Sequence, residues 1–562
     1  MVGVLGITEI AFKVGSAPEK PPLVINPGTV LVFVGPNNSG KSVALKEIEA
    51  WCFGQDVRMK VIDTVKVSFP VDPEEGENLL RVFETEPPQN QATPLGSMWV
   101  AQHRFRSEQP NIRIQIQLDT FKSWISNKQL LYLRGNLLSF YTVRLDGRTR
   151  FSLTDQKPTG DLLQSPQNHL WALFQDDSAR ERVRKLTEEA FPGNYFVIDP
   201  TSMSSFRIRL SPRPPNSKGE EQALDETSRN FHKNSPLIDE FSDGVKAFVG
   251  LTSAILSLPH RIMLIDEPDA FLHPPLARRL GSNLTKIARE RNASLICATH
   301  SPEFLIGCIE TDSDTSIVRL TFKGGFATAR NLSSTEVKDM ASDPLLRSTD
   351  VLNALFHTAA VVCESDTDRA FYGEVNRRLV SVNRGISDSI FLNAQNWQTI
   401  WRLIKPLRNI GMPAAAILDL DIIRNTGREW HNILEACRIP QSVKPTLDSE
   451  RDRLSNALSA LDDVIKRKGI YALNGDDKKQ AESFLSKLGE YGLFLVPNGE
   501  LESWLQYLGV SGHGANWLYE IFKNMGSSDS DPSYLAAQNN DVWDFLDRIA
   551  KWVNDPNRLG TE

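Results

Sequence analysis

Cysteine is scarce and unpatterned: Cys52, Cys297, Cys308, Cys363 and Cys437 are the five in 562 residues. An odd count, wide spacing, no CxxC and no His/Cys metal spacing argue against a disulfide framework and a zinc module, and predict reduced, mostly buried thiols. No run approaches 18 consecutive apolar residues, so no membrane span is expected. The opening MVGVLGITEIAFKVG has no basic lead and no cleavage site, so no secretory leader is expected either. An excess of cations is also missing. With a net charge of −7, nucleic acid can be held only by local patches, not by a field over the whole surface. Gly and Pro, at 34 and 32 residues, are too few for a collagen-like or low-complexity chain. What remains is ordinary globular composition, 40% hydrophobic and 24% charged, and a cytoplasmic protein is expected.

Hydrophobic patterning predicts two successive α/β units. The first covers 1–345 with an insertion at about 60–235, and the second covers 358–562 with a charged, mainly helical insertion at about 422–490. Gly28–Val34 (GTVLVFV) is a continuous β-branched run of the kind buried in a parallel sheet. Within the first insertion, Ile112–Leu118 alternates as a strand, and 176–190 reads as a helix with an acidic start. Tyr141–Leu153 alternates around Asp146-Gly147, which predicts a hairpin turn, and the breaker-rich stretch 211–235 predicts a surface loop. In the second unit, 359–363, 389–393, 414–420 and 492–496 read as buried strands, with helices at 367–380 and at 397–411 despite Pro406. Strands alternating with helices predict parallel sheets.

Gly35-Pro36-Asn37-Asn38-Ser39-Gly40-Lys41-Ser42 fits GxxxxGK[ST], follows a buried strand and opens a helix. Glycines let backbone N–H groups converge on phosphate oxygens at a helix N-terminus, where the dipole favours anions. Lys41 would bridge the β- and γ-phosphates of ATP, and the Ser42 hydroxyl would ligate Mg²⁺. Ile262–Ile265 is a buried strand ending in Asp266-Glu267, which places one carboxylate by the metal and one where it polarises the attacking water. A further buried strand, Ser294–Thr299, ends in His300. Phe241-Ser242-Asp243-Gly244-Val245-Lys246 opens an apolar helix upstream.

In this order the motifs resemble the ABC-type ATPases. FSDGVK is similar to the LSGGQ signature, with Phe241 for Leu and Asp243 for Gly, and keeps Ser242 and Gly244. LIDEP resembles Walker B with its catalytic Glu267, and Thr299-His300-Ser301 resembles the switch-histidine loop. The resemblance implies that Ser242, Gly244 and Lys246 meet the nucleotide of a second copy in a head-to-tail homodimer. DEPDAFLHP is closer to the repair-type and OLD-like (overcoming lysogenization defect) branch than to transporters. The Q-loop glutamine stays open among Gln102, Gln115 and Gln117.

Three acidic groups end predicted strands in the second half: Glu364 with Asp366 and Asp368, Asp419 with Asp421, and Glu500 with Glu502. If those strands are parallel, all three converge on one sheet edge, where open α/β sheets place their sites. Carboxylates so gathered repel unless a cation neutralises them, and hard oxygen donors suit Mg²⁺ or Mn²⁺, with Ca²⁺ as a substitute. Two such ions can activate a water and stabilise the leaving oxygen of a phosphodiester. The pattern resembles a Toprim (Rossmann-like) domain of the OLD type, with Ser365 where the family has glycine. That resemblance implies that Glu364, Asp368, Asp419, Asp421 and Glu502 are metal ligands or water activators, and that a late lysine, Lys523 or Lys551, stabilises transition-state charge. Glu500 is carried as a further metal ligand.

An ABC-type ATPase followed by a Toprim domain is the layout of OLD nucleases, whose relatives include Gabija and retron-type anti-phage effectors. The resemblance implies an ATP-regulated, metal-dependent DNA endonuclease in bacterial defence, with a partner protein or RNA and an oligomer beyond the dimer left open. Two alternatives stand beside it: the same chemistry on RNA or tRNA, and an SMC-like DNA-binding repair ATPase whose Toprim half is a scaffold. Arg104, Arg106 and Arg113, then Arg144, Arg148 and Arg150, then Arg207, Arg209 and Arg213 are the candidate substrate-facing clusters.

Overall fold

The structure, a computed structural model, describes residues 4–17, 19–88, 90–103, 111–312, 314–323, 325–459, 462–528 and 530–561. The chain divides into two compact units, Met1–Lys338 and Asp339–Glu562.

The first unit is built on a six-stranded sheet. Its spatial order is Phe326–Leu332, Ser316–Lys323, Val30–Val34, Ser294–Ala298, Ile262–Asp266, Thr142–Leu145. Every pairing is parallel except the outer hairpin of Ser316–Lys323 with Phe326–Leu332. All five residues of Val30–Val34 are buried, as expected of a strand covered on both faces. Helix Lys41–Cys52 packs on Ile262–Asp266 and Ser294–Ala298, the strands that carry the Walker B and histidine loops. Helix Asp243–Ser257 is apolar almost all round because it is enclosed.

Two expectations for the insertion are corrected here. Asp146-Gly147 is not a hairpin turn: Asp146 caps helix Gly147–Ser152, its carboxylate accepting from the N–H of Arg148 and Thr149. The Asp146 N–H donates to the Thr149 hydroxyl oxygen at 2.8 Å, so a capping box competed with turn chemistry for the same dipeptide and won. The stretch 211–235 is not a loop throughout, since Ser217 and Asp225 cap helices Lys218–Gln222 and Glu226–Lys233. Its acidic residues also bury. Glu221 accepts from Arg180 and Arg184 at 3.1 and 2.7 Å, and from the Ile198 N–H at 3.2 Å. The helix Asp177–Ala190 and the strand Asn111–Gln117 form where their patterns predict.

The candidate basic clusters are largely internal. Arg144 pairs with Glu49 and Asp146, Arg207 and Arg209 both clasp the buried Asp199, and Arg213 forks onto Glu220. Arg113 donates to the carbonyls of Glu86 and Pro87. Arg148 is exposed, whereas Arg104 and Arg106 lie outside the described residues. Guanidinium groups spent on carboxylates and carbonyls offer little to a phosphate backbone.

The second unit carries a four-stranded sheet, all parallel, in the order Ser389–Asn393, Ala359–Cys363, Ala414–Leu418, Leu493–Leu495. Its two central strands, AAVVC and AAAIL, are buried at every position. Helices Arg428–Ala436, Lys444–Ser459, Asp462–Lys468 and Gly475–Glu490 fill the stretch between the third and fourth strands. Arg408, fully buried on the helix Ile400–Asn409 that contains Pro406, donates to the carbonyls of Ala414, Cys437, Tyr491 and Gly560. All five cysteines are buried and unbridged. Among the described residues no helix is long and apolar enough to cross a membrane.

Candidate functional sites

The P-loop leaves Val30–Val34 at Gly35. Its φ is 137°, and a side chain there would lie 2.0 Å from the Leu320 carbonyl oxygen, so only glycine fits. Gly40, in the left-handed region, caps helix Lys41–Cys52 with no side-chain bond, which leaves the first-turn N–H groups available to an anion. Lys41 is 6% exposed and folds back to the carbonyls of Gly35 and Pro36, each at 2.8 Å. The Ser42 hydroxyl donates to Asp266 Oδ1 at 3.0 Å, across the sheet from strand end to helix start. Burial raises the Asp266 carboxyl against the opposing pull of that hydroxyl. A hydroxyl and a half-buried carboxylate so close together are a fitting donor pair for Mg²⁺.

A cavity of about 900 Å³ opens here, lined by Asn37, Asn38, Ser39, Gly40, Lys41 and Ser42 on one side and by Asp266, Glu267 and His300 on the other. Ser242, Gly244 and Lys246 are not part of its wall. Ser242 is exposed at the start of helix Asp243–Ser257, and Gly244 stands against the Phe271 carbonyl, 2.8 Å from where a Cβ would sit. Of the three candidate glutamines, Gln102 is buried in strand Ser97–His103 and Gln115 and Gln117 are exposed. None lines the cavity.

Sequence patterns missed what holds the Walker B loop. Glu267 has φ 51°, a left-handed conformation that a glutamate adopts only under constraint. Its N–H donates to the Ala298 carbonyl at 2.8 Å. Arg150, 3% exposed, donates to the carbonyls of Asp266, at 3.0 Å, and of Glu267. Thr299 donates to Asp269 at 2.5 Å and accepts from the Ser301 N–H, which ties the histidine loop to the same turn. Burial lowers the Arg150 guanidinium while Asp269, Glu267 and Asp266 act the other way. Arg150 is thus a positioning residue. Replacing it with methionine, which fills similar space but has no N–H to give either carbonyl, is expected to leave the KM for ATP near parental and to lower kcat about tenfold, as loss of supporting contacts commonly does. A KM rise with unchanged kcat in steady-state assays would rule that role out.

In the second unit Glu364 follows the strand Ala359–Cys363, and Asp419 follows the adjacent strand Ala414–Leu418. The Asp419 N–H donates to Glu364 Oε1 at 2.7 Å, joining residues 55 apart in sequence. Ser365 caps helix Asp366–Ser381 and holds Asp368 in a reciprocal capping box, its hydroxyl and N–H reaching Asp368 Oδ2 at 2.5 and 3.0 Å. The Ser365 side chain therefore fastens a carboxylate as well as capping the helix. Glu502 accepts from the Gly514 N–H at 2.9 Å. Burial is the main cause that pushes Glu364 up to about 8, with repulsion from Asp368 and Asp421 added. Burial likewise raises Asp419 well above the carboxylate range, with Glu364, Asp368, Asp421 and Glu500 repelling it. Asp368 is raised by burial and by Glu502, and Glu500 by burial and by Glu502 and Asp421. The cluster is a set of hard donors short of positive charge.

Lys523 and Lys551 pair with Glu520 and Asp547 on their own helices. The lysine beside the cluster is Lys466, 3.8 Å from Glu500. His513 stands 3.4 Å from Glu502, and Glu500, Glu502 and His513 bring possible ligand atoms within 4.8 Å of one another. Neither residue sits in a motif, so only the fold reveals them.

The strand, the glycine turn and the helix that follows it, with Ser42 set against Asp266, define a P-loop nucleotide-binding fold in the first unit. Residues 65–306 match the profile of a family described as AAA domain, putative AbiEii toxin, Type IV TA system. A curated relative, Phosphonates import ATP-binding protein PhnC 2 of Haloarcula marismortui, is 25% identical over 178 residues, which are 31% of this chain and 63% of that protein. The match thus spans less than two thirds of the relative's length. Among solved structures, an SmcHead bound to the C-winged helix domain of ScpA has TM-score 0.33 at 14% identity, covering 59% of this chain and 99% of that one. The SMC head domain from Thermotoga maritima has TM-score 0.29 at 16% identity, covering 58% and 99%.

Proposed function

We propose that this chain is an ATP-regulated, divalent-metal-dependent DNA endonuclease of the OLD type, with phosphodiester cleavage carried by a Toprim-like second unit. The observation that carries the reading is the convergence of Glu364, Asp368, Asp419, Asp421, Glu500 and Glu502 at one edge of a parallel sheet, with four of them driven toward protonation. Glu364 and Asp419 follow adjacent central strands whose crossovers leave in opposite directions, which is the switch point where open α/β sheets bind ligands. Divalent ions bound there would neutralise the carboxylates and supply a water of lowered pKa. The protein's own part is to hold the donors still: the Asp419 N–H orients Glu364, Ser365 orients Asp368, and the Gly514 N–H orients Glu502.

In the first unit, Ser42 and Asp266 would hold Mg²⁺, Lys41 would meet the phosphates, and Glu267 and His300 would face the attacking water. The signature residues Ser242, Gly244 and Lys246 lie off this cavity, which supports a head-to-tail homodimer in which a second copy supplies them. A role in bacterial anti-phage defence is part of this proposal and rests on the resemblance to OLD-type nucleases alone. The test is cleavage of plasmid, linear DNA and tRNA with Mg²⁺ or Mn²⁺, under ATP, ADP and a non-hydrolysable analogue at fixed free metal. DNA is expected to be cut, at rates that differ 5- to 150-fold between nucleotide states. Cutting of tRNA alone overturns the DNA assignment, and no cutting of any substrate overturns the nuclease.

The raised carboxyls set a pH dependence. Glu364 moves from 4.5 to about 8 on folding, so the folded unit binds more protons than the unfolded one between those values, and its stability falls as pH rises through that window. Cation binding requires the deprotonated form. Mn²⁺ is therefore expected to raise the thermal midpoint more at pH 8 than at pH 6, measured against EDTA by differential scanning fluorimetry. An equal shift at both values would contradict the coupling.

A further inference from the structure

We infer that the outer hairpin of the first unit is a nucleobase platform: Phe322 stacks the purine ring of the bound nucleotide, and the site reads the ring's face rather than its edge. The inference rests on the P-loop reading and names what lies beyond the phosphates. The cavity, about 900 Å³, is at the large end of ligand pockets, roomier than a triphosphate needs. Asp266, Glu267 and His300 mark the γ-phosphate end, so the base lies on the opposite side, past Gly40. Two elements flank Gly40 there. Val61 Cγ2 would be 3.1 Å, and Ala327 Cβ 3.9 Å, from a Cβ at Gly40.

Phe322 is directly opposite Ala327 in the hairpin, and paired residues of an antiparallel ladder share a face. Its ring is therefore on the side that meets the P-loop, and it lines the cavity. It is 56% exposed, and Phe326, at the hairpin end, is 53% exposed. Large aromatic faces left in water beside a phosphate cradle are costly unless something apolar covers them, and a purine is flat, apolar on its faces and tethered at the right end.

Lys13, Arg58, Met59 and Lys60 also line the cavity. The Lys13, Arg58 and Lys60 side chains are donors only, and both purines present the N7 acceptor to such donors, so these side chains do not select one ring strongly. Stacking tolerates either ring. ATP and GTP are therefore expected to bind within about fivefold of each other.

Equilibrium binding of ATP, GTP and inorganic tripolyphosphate to the full-length protein tests this. Phe322→Ala, at an exposed position, is expected to weaken ATP and GTP by about 5- to 150-fold, the range that 1–3 kcal/mol of base–aromatic stacking spans at 1.4 kcal/mol per factor of ten. Tripolyphosphate binding should be unchanged, and Phe322→Trp should restore ATP. Unchanged ATP affinity in Phe322→Ala overturns the platform. So does equal weakening of tripolyphosphate, which would mean that the hairpin acts on the P-loop itself. So does a preference for ATP over GTP beyond tenfold, or an effect confined to dimerisation. Wild-type protein that binds none of the three, as Lys41→Ala is expected to behave, would sink the P-loop reading and the platform with it.

Discussion

Asp419→Ala is expected to reduce metal-dependent phosphodiester cleavage by at least about a thousandfold, while ATP turnover stays within about twofold of parental. The asymmetry follows from placement. Asp419 ends a central strand of the second unit's sheet, and the P-loop belongs to the sheet of the first. Losing about 4 kcal/mol of charge stabilisation in the transition state is a factor of a thousand in rate. The substitution also spares the scaffold, because the bond that orients Glu364 comes from the Asp419 backbone N–H, which alanine retains. It further removes a buried carboxyl that repels its neighbours, so the thermal midpoint in EDTA should hold or rise. Asp419→Asn, which keeps the shape and loses the charge, should lose cleavage equally. Residual cleavage above a tenth of parental in either variant would place the metal elsewhere, and a parallel loss of ATP turnover would count against two separate sites.

Glu267→Gln should bind ATP with parental affinity and turn it over about 10²- to 10⁴-fold more slowly, the usual worth of a general base. The left-handed backbone at this position is held by groups outside the side chain: the Ala298 carbonyl and the Arg150 guanidinium. An amide can therefore replace the carboxylate without moving the turn. ATP held unhydrolysed should also accumulate the closed dimer, seen as a concentration-dependent shift in light scattering. Turnover at the parental rate would remove Glu267 from the chemistry, and lost ATP binding would mean that it supports the fold of the loop.

Much of this architecture could be read from residue patterns, for identifiable reasons. Val30–Val34 and Ile262–Asp266 are uninterrupted apolar runs with a functional motif at their ends, and a strand buried on both faces leaves no other pattern. The acidic groups after Cys363 and Leu418 are visible because each directly follows such a run, and Glu500 and Glu502 because only a Pro-Asn-Gly turn separates them from theirs. What stayed hidden depends on long-range geometry. Arg150 looks like one more base in a charged stretch until the fold brings it under the Walker B turn, 116 residues away in sequence. Lys466 and His513 lie in polar segments and reach the acidic cluster only through the packing of the helical insertion and the loop after Ser503. Glu221 is a further instance, since polar periodicity signals a loop until Arg180 and Arg184 supply the partners that let it bury.

The Ser42–Asp266 hydrogen bond joins positions 224 residues apart, and the second cluster closes across its own helical insertion. Closure over such lengths is slow, because chain entropy is lost before the contact compensates for it. During synthesis, Lys41 and Ser42 leave the ribosome long before Asp266 exists, and Glu364 long before Glu502. A nascent or prematurely terminated chain would therefore carry phosphate-binding and acidic segments without an assembled centre. Under the proposed nuclease reading, late assembly would act as a built-in delay, because a half-made copy lacks the carboxylates that complete the cleavage centre.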